Sequence, residues 1–126
     1  MNTRVVPITE VSTDQVPQSQ RVALWESHIS SALIGLRCSE FAADGLRARA
    51  RSFDLGPVRI TDICGNEHVI ERTAQMLRSH PKDSIFACLL LAGEGFFFQA
   101  NRCLRVSTGD IIAYSTDIPY LYGFTR

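Results

Sequence analysis

The sequence predicts a mainly-β fold, a small barrel or sandwich with one amphipathic helix packed on it near the amino terminus. Three observations predict it. After Asp44-Gly45 apolar residues recur at every second position, as in LRARARSF (46–53) and VRITDIC (58–64), the period of strands with one buried face. Segments of this kind continue to the end of the chain, parted by Gly and Asn turns. Before Asp44 the period is helical instead.

Taken in order, residues 1–18 are polar and carry Pro7 and Pro17, which reads as a loose arm ahead of a domain spanning 19–126. Ser19 offers a helix cap. Val22, Trp25, Ile29, Ala32, Leu33 and Leu36 follow at three- and four-residue steps, predicting a helix over 20–36 that lays its stripe on a barrel face or on a partner. DLGP then turns the chain between the first two alternating segments. A four-residue loop at 54–57 sets Asp62 opposite Arg49. Arg47, Arg49 and Arg51 share one strand face, with Arg59 on the next strand; the face is either solvated or anion-binding. Further strands are expected at 67–71, 85–92, 95–100, 103–106 and 110–115, with turns at Asn66, Gly93, Asn101 and Gly109. TAQMLRSH (73–80) reads either as one helical turn or as irregular strand.

Composition narrows the function. A chain of 126 residues, 45% hydrophobic and 21% charged, folds around one modest core and not two. Thirteen basic residues balance thirteen acidic ones. Domains that grip nucleic acid carry a basic face, so specific DNA binding by this polypeptide alone is not expected. The longest apolar run, Ile85–Ala92, has eight residues, far short of the ~20 that span a bilayer. Pro7 and Glu10 interrupt the amino-terminal stretch before a secretory core can form. Cys38, Cys64, Cys88 and Cys103 form no CxxC pair and are expected as buried free thiols, as in a reducing cytoplasm. His28, His68 and His80 fall in no metal-binding or catalytic spacing, and no nucleophile elbow or phosphate loop is present. No enzyme is expected.

The stretch RVSTGDIIAYSTDIPY (105–120) carries the most information. Gly109-Asp110 makes a tight turn, Ile111–Tyr114 a strand, and Pro119 permits only a strand start or an edge. The arrangement resembles the second motif of cupin (jelly-roll) barrels, whose inward metal-ligand histidine falls by count on Tyr120. The first cupin motif places its two histidines and glutamate on His80, Lys82 and Phe86. Lysine and phenylalanine cannot ligate a divalent metal, and one imidazole does not hold it. The resemblance therefore implies a cupin-like barrel without metal or other cofactor.

A longer resemblance covers the helix bearing Trp25, the hairpin at 46–64, HVIERT (68–73), HPKDSIFACLLLAGEG (80–95) and TGDIIAYSTDIPY (108–120). In order and spacing these resemble the amino-terminal effector-binding domain of AraC-type transcriptional regulators. Members of that family join such a barrel to dimerisation helices and a helix-turn-helix domain. The resemblance implies a sensor that ends before both, binds a small organic effector, has a homodimer among its assemblies, and meets DNA only through a carboxy-terminal domain. On the barrel analogy Tyr120 points inward, and strand parity brings Tyr122 and Phe124 with it. Parity from Phe86 adds Cys88 and Leu90, and His80 stands beside them. Arg72 either clamps a carboxylate or forms an ion pair with Glu71 or Asp83. Two rivals remain: a small cupin-class isomerase or oxygenase, and a barrel filled by its own side chains that serves only in dimerisation.

Overall fold

A computed structural model describes residues 9–125. Ten strands fold around one core: β1 (Thr9–Ser12), β2 (Arg37–Glu40), β3 (Ala48–Asp54), β4 (Arg59–Gly65), β5 (His68–Arg72), β6 (Ile85–Leu89), β7 (Glu94–Gln99), β8 (Arg102–Ser107), β9 (Ile111–Ser115) and β10 (Tyr120–Thr125). Helix α1 (Arg21–Ala32) precedes β2, and a short α2 (Ala74–Ser79) follows β5. All pairings are antiparallel. The sheets run β1-β3-β4, β2-β5-β10-β7-β8 and β6-β9, and together they make a β barrel with α1 against it.

The loose arm expected over 1–18 is ordered from Thr9 onward; residues 1–8 lie outside the described ones. Strand β1 pairs with β3 from Thr9↔Ser52 to Ser12↔Arg49. Thr13, fully buried, then accepts the Ala48 amide on its Oγ1 at 2.9 Å. Sequence polarity hid this strand, because a strand at a sheet margin buries only Val11.

Helix α1 buries Trp25 and Ile29, at 2% and 3% exposure, against the barrel. Burial of such side chains contributes roughly 2–3 kcal/mol each. The cap is Gln20 rather than Ser19, and no side chain bonds the first turn. The helix also stops short of the predicted 36. Leu33 and Ile34 both donate to the Ile29 carbonyl, ending the regular ladder. Gly35 then passes His80 so closely that an added Cβ would lie 2.8 Å from the His80 Cβ. The Glu26 carboxylate accepts the Cys38 amide at 2.6 Å, tying β2 to the helix.

The hairpin register differs from the sequence reading. Asp54 pairs with Arg59, and the loop runs over 55–58, closed by Leu55 N–H to the Val58 carbonyl at 2.9 Å. Gly56 holds φ at +89°, a left-handed conformation suited to glycine, and this sets the turn. Asp62 therefore faces Arg51, at 2.9 Å, and not Arg49. A shift of two keeps the parity, so Ala48, Ala50 and Ser52 are buried while Arg47, Arg49 and Arg51 stay exposed. The segment 73–80 resolves as a helical turn capped by Thr73, whose Oγ1 accepts the Met76 amide.

The cysteines also depart from expectation. Cys38 is buried and Cys88 half-buried, but Cys64 and Cys103 are exposed. They lie opposite Arg49 and Phe98, both also exposed. Alternation alone cannot say which face of a strand is covered.

Candidate functional site

Strand β10 lies in the middle of the five-stranded sheet, between β5 and β7. Pro119 stands just before it, where its missing N–H breaks no ladder bond. Tyr120 and Tyr122 point into the barrel, at 4% and 1% exposure, with Phe124 half-buried on the same parity. Tyr122 faces Phe97 of β7, and Tyr114 of β9 completes the group.

These rings form one cluster. The Phe97 centroid lies 4.7 Å from Tyr114, 5.4 Å from Tyr122 and 5.7 Å from Tyr120. Tyr114 and Tyr120 are 4.8 Å apart, and Phe86 meets the edge of Tyr114 at 5.9 Å. Tyr122 stacks on Phe124 at 4.2 Å, and Phe124 on the buried His68 at 5.0 Å. Tilted and edge-on pairs suit the ring quadrupoles. Gly95 makes room: a Cβ there would sit 2.8 Å from the Gly123 carbonyl oxygen and 2.9 Å from the Tyr122 ring.

The polar groups of this wall are uncharged at neutral pH. Burial raises the Tyr120 phenol to about 12, although Arg72 and Tyr114 pull it the other way. Burial likewise raises Tyr114, Tyr122 and the Cys88 thiol. One hydroxyl has no partner: the Tyr122 Oη is buried and makes no hydrogen bond. Its polar neighbour is the Cys88 thiol, close enough to shift both groups but only a weak partner for a phenol. An orphaned buried hydroxyl costs about 1–3 kcal/mol.

Arg72 does not form the ion pair that its sequence context offered. It is fully buried and makes no ion pair with Glu71 or Asp83. Instead its guanidinium donates to three backbone carbonyls, of Thr116 at 2.8 Å, Gly35 at 3.0 Å and His80 at 2.7 Å. The planar fork thus clips three connections together: those after α1, after α2 and after β9. Burial lowers its pKa while the Tyr120 phenol opposes that shift.

His80 does not join the wall. Its side chain is exposed, bonded to Ser79 Oγ at 2.9 Å, and only its carbonyl reaches Arg72. It sits beyond α2, whose turn carries it out past Gly35. Lys82 is exposed as well. Among the described residues no three His, Cys, Asp or Glu side chains gather to hold a metal ion. Phe86 and Cys88 do face inward from β6, half-buried, as parity predicts, and Leu90 beyond them is buried. Tyr114, Phe97 and His68 were missed. The parity of IIAYS and GFFFQA holds the signal for the first two, since Tyr114 and Phe97 alternate with exposed neighbours.

Two grooves border this cluster, touching it at Tyr120 and at Phe124. One, of about 630 Å³, runs over Thr73, Gln99, Asn101, Arg102 and the strand end at Tyr120. The other, of about 570 Å³, crosses the outer face of the five-stranded sheet over Phe41, Phe96, Phe98 and Leu121.

A barrel with an amino-terminal helix and an aromatic inner wall defines the structural class, and comparison with known proteins gives it a neighbour. No family model matches the chain. The crystal structure of CuxR, an AraC-like transcriptional activator, superposes with a TM-score of 0.80 over 94% of this chain and 43% of CuxR, at 21% identity. The two share a fold. An uncharacterised protein of the nit 5′ region of Bacillus sp. (strain OxB-1) is 22% identical over 118 residues, which are 94% of this chain and 46% of that protein. The chain thus spans less than half the length of either relative. No helix among the described residues is long and apolar enough to cross a membrane.

Proposed function

We propose that this chain is the sensing and regulatory domain of an AraC-type transcription regulator, and that it binds a small organic effector without metal. The observation that carries the reading is the shared fold with an AraC-like activator over nearly the whole chain. The inner wall supports it. Three neutral phenols and a thiol around Phe97 suit a compact, uncharged, partly aromatic molecule. A polar atom that meets the Tyr122 hydroxyl removes the cost of an orphaned donor, about 1–3 kcal/mol or roughly 5–150-fold in affinity. Arg72, donating to three carbonyls, keeps the barrel end in shape.

One observation favours a second reading. The rings of Phe97, Tyr114, Tyr120 and Tyr122 touch one another, as in a barrel filled by its own side chains. Thermal-shift screening with small neutral aromatic and aliphatic compounds separates the two. Effector binding predicts a stabilising compound whose affinity falls several-fold or more in Tyr122→Phe. A screen in which no compound stabilises the protein, or in which stabilisation is indifferent to Tyr120, Tyr122 and Tyr114, would reject the site.

A further inference from the structure

Strand β4 lies at the margin of its sheet, with β3 on one side and no strand on the other among the described residues. It is seven residues long, and its register against β3 runs unbroken from Ala48↔Gly65 to Asp54↔Arg59. Two backbone bonds fix which way its groups turn. Leu55 N–H donates to the Val58 carbonyl, and Asn66 N–H to the Arg47 carbonyl. Bonded pairs alternate along an antiparallel ladder, so Ile60, Asp62 and Cys64 turn their N–H and C=O groups to β3. Arg59, Thr61, Ile63 and Gly65 turn theirs outward, where they make no hydrogen bond among the described residues. Such a row is a template for a further strand.

Edges of this kind are normally guarded by lysine, proline, a bulge or shortness. This strand has none of these. Its two charges are drawn off the edge: Asp62 pairs with Arg51 at 2.9 Å, and Arg59 reaches the Ala32 carbonyl at 3.2 Å. Between them the strand shows apolar side chains. Ile63 stands on the core face, opposite buried Ala50, yet remains 45% exposed, and Ile60 on the outer face is 49% exposed. The other margins differ. Strands β1 and β2 are four residues long, and β8 carries Arg102 and Arg105. Strands β6 and β9 are five residues long, with Asp83 and Asp110 close to their ends.

The chemistry of the edge names its occupant. Donors and acceptors that alternate at strand spacing are matched along their length by another peptide backbone. We propose that β4 accepts an extended peptide segment of a partner protein, which adds to the sheet as an antiparallel strand. Side-chain parity sets its sequence. Residues opposite Thr61 and Ile63 continue the core face and are apolar and β-branched, whereas the residue opposite Asp62 is basic or neutral and never acidic.

The test is amide hydrogen exchange by NMR on residues 1–126, with a blocked nonapeptide, Lys-Thr-Val-Thr-Val-Thr-Val-Thr-Lys, as the probe. In the protein alone the outward amides of Arg59, Thr61, Ile63 and Gly65 exchange fast, and those of Ile60, Asp62 and Cys64 are slowed by β3. Binding with Kd on the order of 100 µM slows the outward amides roughly tenfold at about 1 mM peptide. The same peptide N-methylated at its valines, whose N–H groups point at β4 when they lie opposite Thr61 and Ile63, leaves exchange unchanged. Ile63→Pro and Thr61→Pro each remove one outward donor without touching the β3 ladder, and each weakens binding at least ~10-fold. Either variant keeps the test readable should the other fold poorly. No slowing at that concentration, slowing confined to β6 or β8, or undiminished binding in both proline variants overturns the proposal. So do outward amides that are slow before peptide is added, or that slow as protein concentration rises, since the edge then belongs to another segment of the chain or to a second copy. None of these outcomes depends on an effector.

Discussion

Two buried residues behave opposite to their chemical type. Arg72 is a full charge with no counter-ion among the described residues, held by three carbonyls. Lysine cannot reproduce the fork, so Arg72→Lys should cost about 2–4 kcal/mol by denaturant unfolding, leaving carbonyls unpaired. A loss under ~0.5 kcal/mol would show that the clip contributes little. Tyr122 carries a hydroxyl with no bond. Tyr122→Phe should leave the free protein unchanged or raise its stability by about 1 kcal/mol, since it deletes an unsatisfied group. Destabilisation by that change would mean that the hydroxyl has a partner.

His68 adds a pH dependence at the same scale. Its ring is buried, Nδ1 lies 2.6 Å from the Asn66 carbonyl, and burial lowers its pKa below 6.5 although that bond opposes the shift. The unfolded chain therefore binds a proton more readily than the folded one. Stability from this group is complete above about pH 6.5 and is lost as pH falls through the lowered folded value. Melting temperature should decline on acidification from pH 7 to pH 5, and His68→Gln should flatten that decline. An equal slope in both proteins would assign the effect elsewhere.

At the scale of elements, the close crossing of the α1–β2 and α2–β6 connections governs how the helix meets the barrel. Gly35 lies under His80 with no room for a methyl group. Gly35→Ala should destabilise by about 1–3 kcal/mol, and adding His80→Gly should recover much of that loss, a coupling readable in a double-mutant cycle. Independent effects of the two changes would locate the strain elsewhere. This contact also marks where sequence reasoning ran out. The strands after Asp44 were legible because a one-sided sheet repeats every second residue; the cupin resemblance put Tyr120 and Phe86 on the inner side, and parity carried that to Tyr122 and Cys88. The end of α1, the placing of His80 and the partners of Arg72 were not, since each is decided by backbone groups far apart in sequence. The hairpin slipped by two because Gly56, rather than the loop length alone, chose the turn.

At the scale of the whole molecule the balance of charge predicts no electrostatic grip on DNA. Basic and acidic residues number thirteen each, and they are interspersed rather than segregated. On and just before the most basic strand, β3, Arg47 meets Asp44 at 3.3 Å, Arg51 meets Asp62 at 2.9 Å, and Glu10 lies opposite Arg51. Each such pair withholds a cation from phosphate. Since counter-ion release by free Lys and Arg supplies nearly all non-specific affinity, residues 1–126 should bind a random-sequence duplex no more tightly than about 10⁻⁴ M at 50 mM salt. Gel-shift titration and selection from a random duplex pool provide the measurement. Enrichment of a defined sequence, or a shift at micromolar protein that steepens as salt is lowered, would show a nucleic-acid surface that the charge distribution does not display.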